Sequence, residues 1–229
     1  MATGLGGELL WLCPTLGADG TDLTGLNTPS VDGGLASIAH TSHGGTRAYS
    51  FDGTNDGIVV PHHTRFDFGT GDFTVSLHCK PTTADSDDLV HKIMSSGSYT
   101  GFTCQRISGS SRLWTYNGGS SPHTSRAINI NEWSHVIFMR IAGQLNVFVN
   151  GFCNASLAAT QNVTNTVDLY IGLLAAGGWN GGNFTGLMDD IRIYASAISA
   201  LNRGLLSTPG YQPASTSRPS LPFTQQVIG

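Results

Sequence analysis

The sequence predicts an all-β sandwich of two antiparallel sheets, followed by one short C-terminal helix and an extended C-terminal arm. Three observations predict it. Thirty glycines without a collagen period supply many tight turns between short elements. β-branched and aromatic runs, each bounded by Gly, Asn, Asp or Pro, recur from Leu9 to Tyr194. Only one segment, from Ser199 to Leu206, spaces its apolar residues as a helix does.

In chain order, the expected strands are Leu9 to Leu12, Ala48 to Phe51, Ile58 to Val60, Phe73 to Cys79, Leu89 to Met94 and Phe102 to Ile107. They continue with Leu113 to Tyr116, His135 to Ile141, Leu145 to Val149, Leu169 to Ile171 and Ile191 to Tyr194. Phe73, Val75, Leu77 and Cys79 share one face, because side chains alternate sides with period two, and that face is expected in the core. Asp52-Gly53 and Asn150-Gly151 are preferred hairpin-turn dipeptides. Trp133 is expected to add core volume. In the helix, Ser196 or Ser199 is placed as N-cap, with Ile198, Leu201 and Leu205 on the buried face. Beyond Pro209, prolines at 213, 219 and 222 and many Ser and Thr predict a segment with no fold of its own. The organisation expected is therefore a domain over 1–206 and an arm over 207–229.

Charge and cysteine usage bound the function. Charged residues make up 11%, against roughly 25% in soluble domains, so Ser, Thr, Asn and Gly carry the surface. Thirteen Asp and two Glu against nine Arg and two Lys give a net charge of −4 without any basic run, which argues against nucleic-acid recognition. No stretch approaches the roughly 20 apolar residues of a membrane span, and no basic region precedes an apolar one near Met1. The chain is expected to be made in a cytoplasm and to stay there unless a signal-independent route carries it out. Cys13, Cys79, Cys104 and Cys153 lack any Cys-x-x-Cys spacing and read as free thiols.

Three segments carry a family resemblance. The first is Gly45-Thr-Arg-Ala-Tyr-Ser-Phe-Asp-Gly-Thr-Asn-Asp-Gly-Ile-Val-Val-Pro61, followed by Gly71-Asp-Phe-Thr-Val-Ser-Leu-His-Cys-Lys-Pro81. The second runs from Asn131-Glu-Trp-Ser-His-Val-Ile-Phe to Leu145-Asn-Val-Phe-Val-Asn-Gly151, and the third from Leu169-Tyr-Ile-Gly172 through Phe184-Thr-Gly-Leu-Met-Asp-Asp-Ile-Arg-Ile-Tyr194. Together they resemble the laminin-G-like family of concanavalin A-type domains. The resemblance implies a two-sheet jelly roll whose first and last strands are adjacent. The opening Trp11-Leu-Cys-Pro-Thr-Leu-Gly-Ala-Asp-Gly20, then Leu23-Thr-Gly-Leu-Asn27, looks like a subgroup of these domains common in phage-like and environmental bacterial sequences; together with two Lys and the C-terminal arm it implies a virion surface component made in the host cytoplasm.

Several residue groups are candidates for chemistry. Asp52, Asn55, Asp56, Asp189 and Asp190 offer the oxygens a Ca²⁺ ion takes, and the family pattern places the first and last of these close together. In the alternative reading Asp52 and Asn55 serve turns, and Asp189 and Asp190 point to opposite faces of a strand. Sugar binding uses aromatic platforms with amide and hydroxyl partners. Trp179 and Asn180 in a Gly-rich loop form one such group, and Trp114, Tyr116 and Asn117 a second, unless Trp114 and Tyr116 fill the core and Trp179 is an assembly contact. Tyr211, Leu221, Phe223, Val227 and Ile228 are the arm residues expected to dock on a neighbouring subunit, giving a homo-oligomer. No catalytic site is expected: glucanases of this fold share a Glu-x-Asp-x-x-Glu strand, and Glu8 and Glu132, the two glutamates, lie outside any such pattern. The functions expected are a non-catalytic structural or adhesion component of a virion surface or, alternatively, a lectin-like module.

Overall fold

A computed structural model describes residues 7–40, 46–94, 100–107, 110–116, 123–174 and 182–207. Its strands are β1 (Glu8–Leu12), β2 (Ser30–Asp32), β3 (Ala36–Ala39), β4 (Arg47–Asp52), β5 (Gly57–Val60), β6 (Phe73–Pro81), β7 (Asp87–Ile93) and β8 (Gly101–Ile107). There follow β9 (Ser110–Tyr116), β10 (His123–Ala127), β11 (Ser134–Ile141), β12 (Gln144–Val149), β13 (Phe152–Ala158), β14 (Leu169–Ile171) and β15 (Thr185–Tyr194), and the helix α1 (Ala200–Ser207). One sheet has the order β13-β12-β11-β6-β15-β4-β3, with β1 also on β15, and the other has the order β10-β9-β8-β7-β14-β5-β2. Every strand pairing is antiparallel. This is the expected jelly-roll sandwich.

Period-two patterning builds its core. Phe73, Val75, Leu77 and Cys79 of β6 are all fully buried, and they pack with Val136 and Phe138 of β11 against Ile58, Val60, Phe102, Leu169 and Ile171 of the opposite sheet. Phe68, Phe73 and Phe102 form a ring cluster, with centroids 4.9 to 5.7 Å apart. Asn150-Gly151 makes the expected two-residue β12–β13 turn, with φ of 51° and 82° matching the left-handed pair that such a turn requires. Asp52-Gly53 instead turns the chain from β4 in one sheet to β5 in the other. Trp133 departs from expectation, being only half-buried and resting edge-on against His40. It stands just before β11 rather than within it, outside the strand alternation that fills the core.

The chain closes where β1 joins β15. β15 gives the first half of one edge to β4 and the second half to β1, with a bulge between Asp189 and Arg192. Asp190 takes a left-handed φ of 49° at this bulge. Its carboxylate accepts from the Trp11 indole N–H at 2.8 Å and from Arg192 Nε at 2.8 Å. The Arg192 guanidinium lies 4.3 Å over the Trp11 ring and reaches Glu8 at 3.6 Å. A second apolar cluster joins Ile137, Met139, Phe148 and Tyr194 to Ile198 and Leu206, so the helical segment covers the outer face of the larger sheet. Ser199 caps the helix by accepting from Asn202 N–H. Leu206 is the residue that is buried, while Leu201 is 72% exposed, which rotates the apolar stripe away from the expected one.

Candidate functional site

The smaller sheet has an outer row that the core does not use. Along β7 and β8, Cys104 and Phe102 face inward, so Thr103 and Gln105 face outward. Their register partners are His91 for Thr103 and Asp88 for Gln105, and Tyr170 of β14 stands opposite His91. A bulge between Asp88 and Val90 brings both Asp88 and His91 onto this face. Asp88, His91, Thr103 and Gln105 are polar, yet none is more than 4% exposed. Thr103 Oγ1 donates to Asp88 Oδ1 at 2.7 Å. The other oxygen of Asp88, the Gln105 Oε1 and both ring nitrogens of His91 have no hydrogen-bond partner, and Asp88 Oδ2 lies 4.0 Å from His91 Nδ1. Tyr170 packs edge-on against His91, with centroids 6.2 Å apart.

Burial tunes the two titrating members in opposite senses. It pushes the Asp88 carboxyl up to about 6, against the hydrogen bonds of Thr103 and Gln105, which pull it down. It holds His91 down at about 4. Asp88 therefore binds more protons folded than unfolded between pH 4 and 6, so its contribution to stability is present at low pH and falls as pH rises. His91 binds fewer protons folded than unfolded between about 4 and 6.5, so its contribution rises with pH. We expect Asp88→Asn to tilt the urea midpoint upward with pH across this window and His91→Gln to tilt it downward. Equal slopes in the two variants would contradict this assignment.

The calcium candidates occupy two separate places. Asp52 Oδ1 accepts from Thr54 N–H at 2.7 Å and Asn55 N–H at 3.3 Å, an Asx turn in which the Thr54 N–H holds the carboxyl below the usual carboxylate range. Asp56 accepts from Asp52 N–H, and burial pushes its carboxyl up. Asp189 Oδ1 accepts from Asp190 N–H, and Asp190 is held by Trp11 and Arg192. Thr185 is the register partner of Asp52, so Asp189 lies four residues along β15, about 13 Å away. A Ca²⁺ ion needs six or more oxygens converging on it. These five residues do not meet around one ion, and among the described residues no group of three or more His, Cys, Asp or Glu is placed to share a metal.

Trp114 stands opposite Thr103 in the β8–β9 register and Tyr116 opposite Gly101. Asn117, Trp179, Asn180 and the arm residues Tyr211, Leu221, Phe223, Val227 and Ile228 lie outside the described residues. The ends of the segment carrying Trp179 are fixed beside the polar row: Asp88 N–H donates to Gly182 O at 2.9 Å, and Leu174 N–H donates to Asn183 Oδ1 at 2.8 Å. The four cysteines form no disulfide; Cys13, Cys79 and Cys104 are buried and Cys153 is exposed. Asp88, His91, Thr103 and Gln105 are not among the sequence candidates. The alternation Phe102-Thr-Cys-Gln105 places its polar residues on one face, but alternation alone marks such a face as solvent-exposed.

A family profile described as the concanavalin A-like lectin/glucanases superfamily matches residues 52–202. The chain belongs to this superfamily. Among solved structures, this lectin/glucanase-type domain is similar to domain 4 of AbnA, a GH43 extracellular arabinanase from Geobacillus stearothermophilus, in complex with arabinotriose. That likeness has a TM-score of 0.68 at 19% identity, covering 88% of this chain and 98% of the other. It is also similar to the binding domain of Paraclostridial Mosquitocidal Protein 1, with a TM-score of 0.69, 15% identity, and 88% and 52% coverage. The binding domain of botulinum neurotoxin DC in complex with SialylT gives a TM-score of 0.67, 12% identity, and 88% and 51% coverage. The chain thus spans about half the length of the toxin binding domains and nearly all of the arabinanase domain. At these identities the likeness is one of fold. No curated protein sequence matches the chain.

Proposed function

We propose that this domain is a non-catalytic carbohydrate-binding module, displayed on a virion surface, that reads its glycan on the outer face of the smaller sheet. The observation that carries the reading is the polar row of Asp88, His91, Thr103 and Gln105. A buried polar atom without a partner costs about 1–3 kcal/mol; Gln105 Oε1 and His91 Nε2 are two such atoms, and Asp88 Oδ2 and His91 Nδ1 face each other at 4.0 Å, beyond hydrogen-bond reach. Sugar hydroxyls, each both donor and acceptor, complement two carbonyl-type oxygens and an imidazole. Tyr170, beside His91, supplies an aromatic ring on which a sugar ring stacks, and Trp114, whose backbone pairs with Thr103, is the sequence candidate for a second. The arabinotriose and SialylT complexes of the similar folds support the same class of ligand. A glycosidase needs two Asp or Glu carboxyls flanking one bond; Glu8 is engaged by Arg192 and Tyr194, Glu132 by Asn129, and Asp87, the neighbour of Asp88, by Arg106.

Screening the full chain against neutral oligosaccharides, arabinotriose included, tests this reading. We expect Gln105→Ala and Trp114→Ala each to weaken the best binder about ten-fold or more, with folding intact by circular dichroism. Unchanged affinity in both variants would place the site elsewhere. The apolar residues Tyr211, Leu221, Phe223, Val227 and Ile228 within the segment 207–229 support a compatible second reading, in which the arm docks on a neighbouring subunit of the particle. Removing residues 208–229 is then expected to convert an oligomer to a monomer by light scattering, and an unchanged mass would remove the arm from assembly between copies.

A further inference from the structure

A solvent-open cleft of about 120 Å³ lies at one end of the smaller sheet, lined by Leu26, Asn27, Thr28, Pro61, His62, His63 and Arg65. Its cationic group is Arg65. Arg65 Nη1 donates to Leu26 O and to Asn27 Oδ1. Asn27 is itself fixed, because Asp22 accepts from its N–H at 2.9 Å and its side-chain amide at 2.7 Å, and also from Trp11 N–H and Thr24. The guanidinium is therefore preorganised, and both of its partners are neutral. Among the described residues Arg65 makes no ion pair, and its Nε–H donates to no acceptor. Nε–H together with one Nη2–H forms the fork that matches a carboxylate.

The two histidines add donors. His63 Nδ1 accepts from Arg65 N–H at 3.1 Å, so a neutral His63 carries its proton on Nε2, where it faces Arg65 Nη2 at 3.2 Å. In that tautomer the Nε2–H and the Arg65 guanidinium share one side of the cleft. His62 Nδ1 faces the ammonium of Lys92 at 3.3 Å, and an ammonium only donates, so His62 also presents Nε2–H. Lys92 is held by Asn165 and by Val167 O, with Asp67 and Asp168 offsetting its charge. Asp168 is also engaged by His62 N–H. Among the described residues no carboxylate contacts the Arg65 guanidinium directly; Asp22 reaches it only through the Asn27 amide.

We infer that this cleft binds the carboxylate of an acidic sugar, with Arg65 as the bidentate partner and His63 as a flanking donor. Titration of the full chain with galacturonate, galactose and acetate tests it. Galacturonate is expected to bind about ten-fold tighter than galactose, and acetate more weakly than galacturonate because it lacks the ring that meets Leu26 and Pro61. Arg65→Gln is expected to abolish the preference, Arg65→Lys to retain only part of it, and His63→Ala to reduce it several-fold. Should Arg65→Gln lose its fold by thermal melt, Arg65→Lys and His63→Ala carry the test. Equal binding of galacturonate and galactose, or a preference that survives the Arg65 variants, would overturn the inference. Because a single galacturonate is read at Arg65 and neutral oligosaccharides at the sheet face, either titration can fail without the other.

Discussion

Arg192→Ala is expected to lower the stability of the domain by about 3–5 kcal/mol, the range seen when one partner of a buried ion pair is removed. Arg192 is buried and holds together Asp190, Glu8 and the Trp11 ring. Its loss strands two carboxylates beneath the first strand and strips the indole of its cation. The position matters because β1 and β15 are the opening and closing strands of the sandwich, so local damage here opens a sheet edge. Urea unfolding measures the loss. The combined variant Arg192→Ala, Asp190→Asn, Glu8→Gln is expected to recover part of it, since no charge is then left unpaired. A loss under about 1 kcal/mol for the single variant, the level of an exposed pair, would mean that the cluster contributes little.

Gly101→Ala is expected to cost roughly 2–6 kcal/mol, combining backbone strain with overpacking. Gly101 opens β8 with φ of 142°, a region essentially confined to glycine. An added Cβ would stand 2.1 Å from Lys92 O and 2.6 Å from both Asn165 Nδ2 and Ile93 Cα. Asn165 ties this corner together by donating to Lys92 O and Thr100 O while accepting from Lys92 Nζ. Moving it apart disturbs the buried ammonium and the β7–β8 pairing beneath the polar row. Gly204→Ala is the control: it sits in α1 with nothing within 4 Å of an added Cβ, so it is expected to be neutral or stabilising by about 0.5–1 kcal/mol. Equal effects of the two substitutions would contradict the steric argument.

The fold is legible in the residues wherever period-two burial is strong. β6 shows its alternation from Phe73 to Cys79, and Asn150-Gly151 makes the turn its chemistry demands. Four strands escape such a reading because their sequences lack that signal: Ser30–Asp32, Ala36–Ala39, His123–Ala127 and Phe152–Ala158 are short or rich in small and polar residues, and they form by pairing to a neighbouring strand. The site is less legible than the fold. Acidic residues in sequence proximity suggest a cation, but the Asx turn at Asp52 and the bulge at Asp190 give those carboxylates local structural roles. The polar row on β7 and β8 depends on a bulge between Asp88 and Val90 and on burial of an outward face, neither of which a residue pattern encodes.

Saturating the isotopically labelled full chain with its best neutral oligosaccharide and mapping the amide chemical-shift changes locates the glycan site. The shifts are expected to centre on Asp88, His91, Thr103, Gln105 and Tyr170, with β11 and α1 little changed. Changes confined to the outer face of the larger sheet, or to the Arg65 cleft alone, would contradict a glycan site on the polar row.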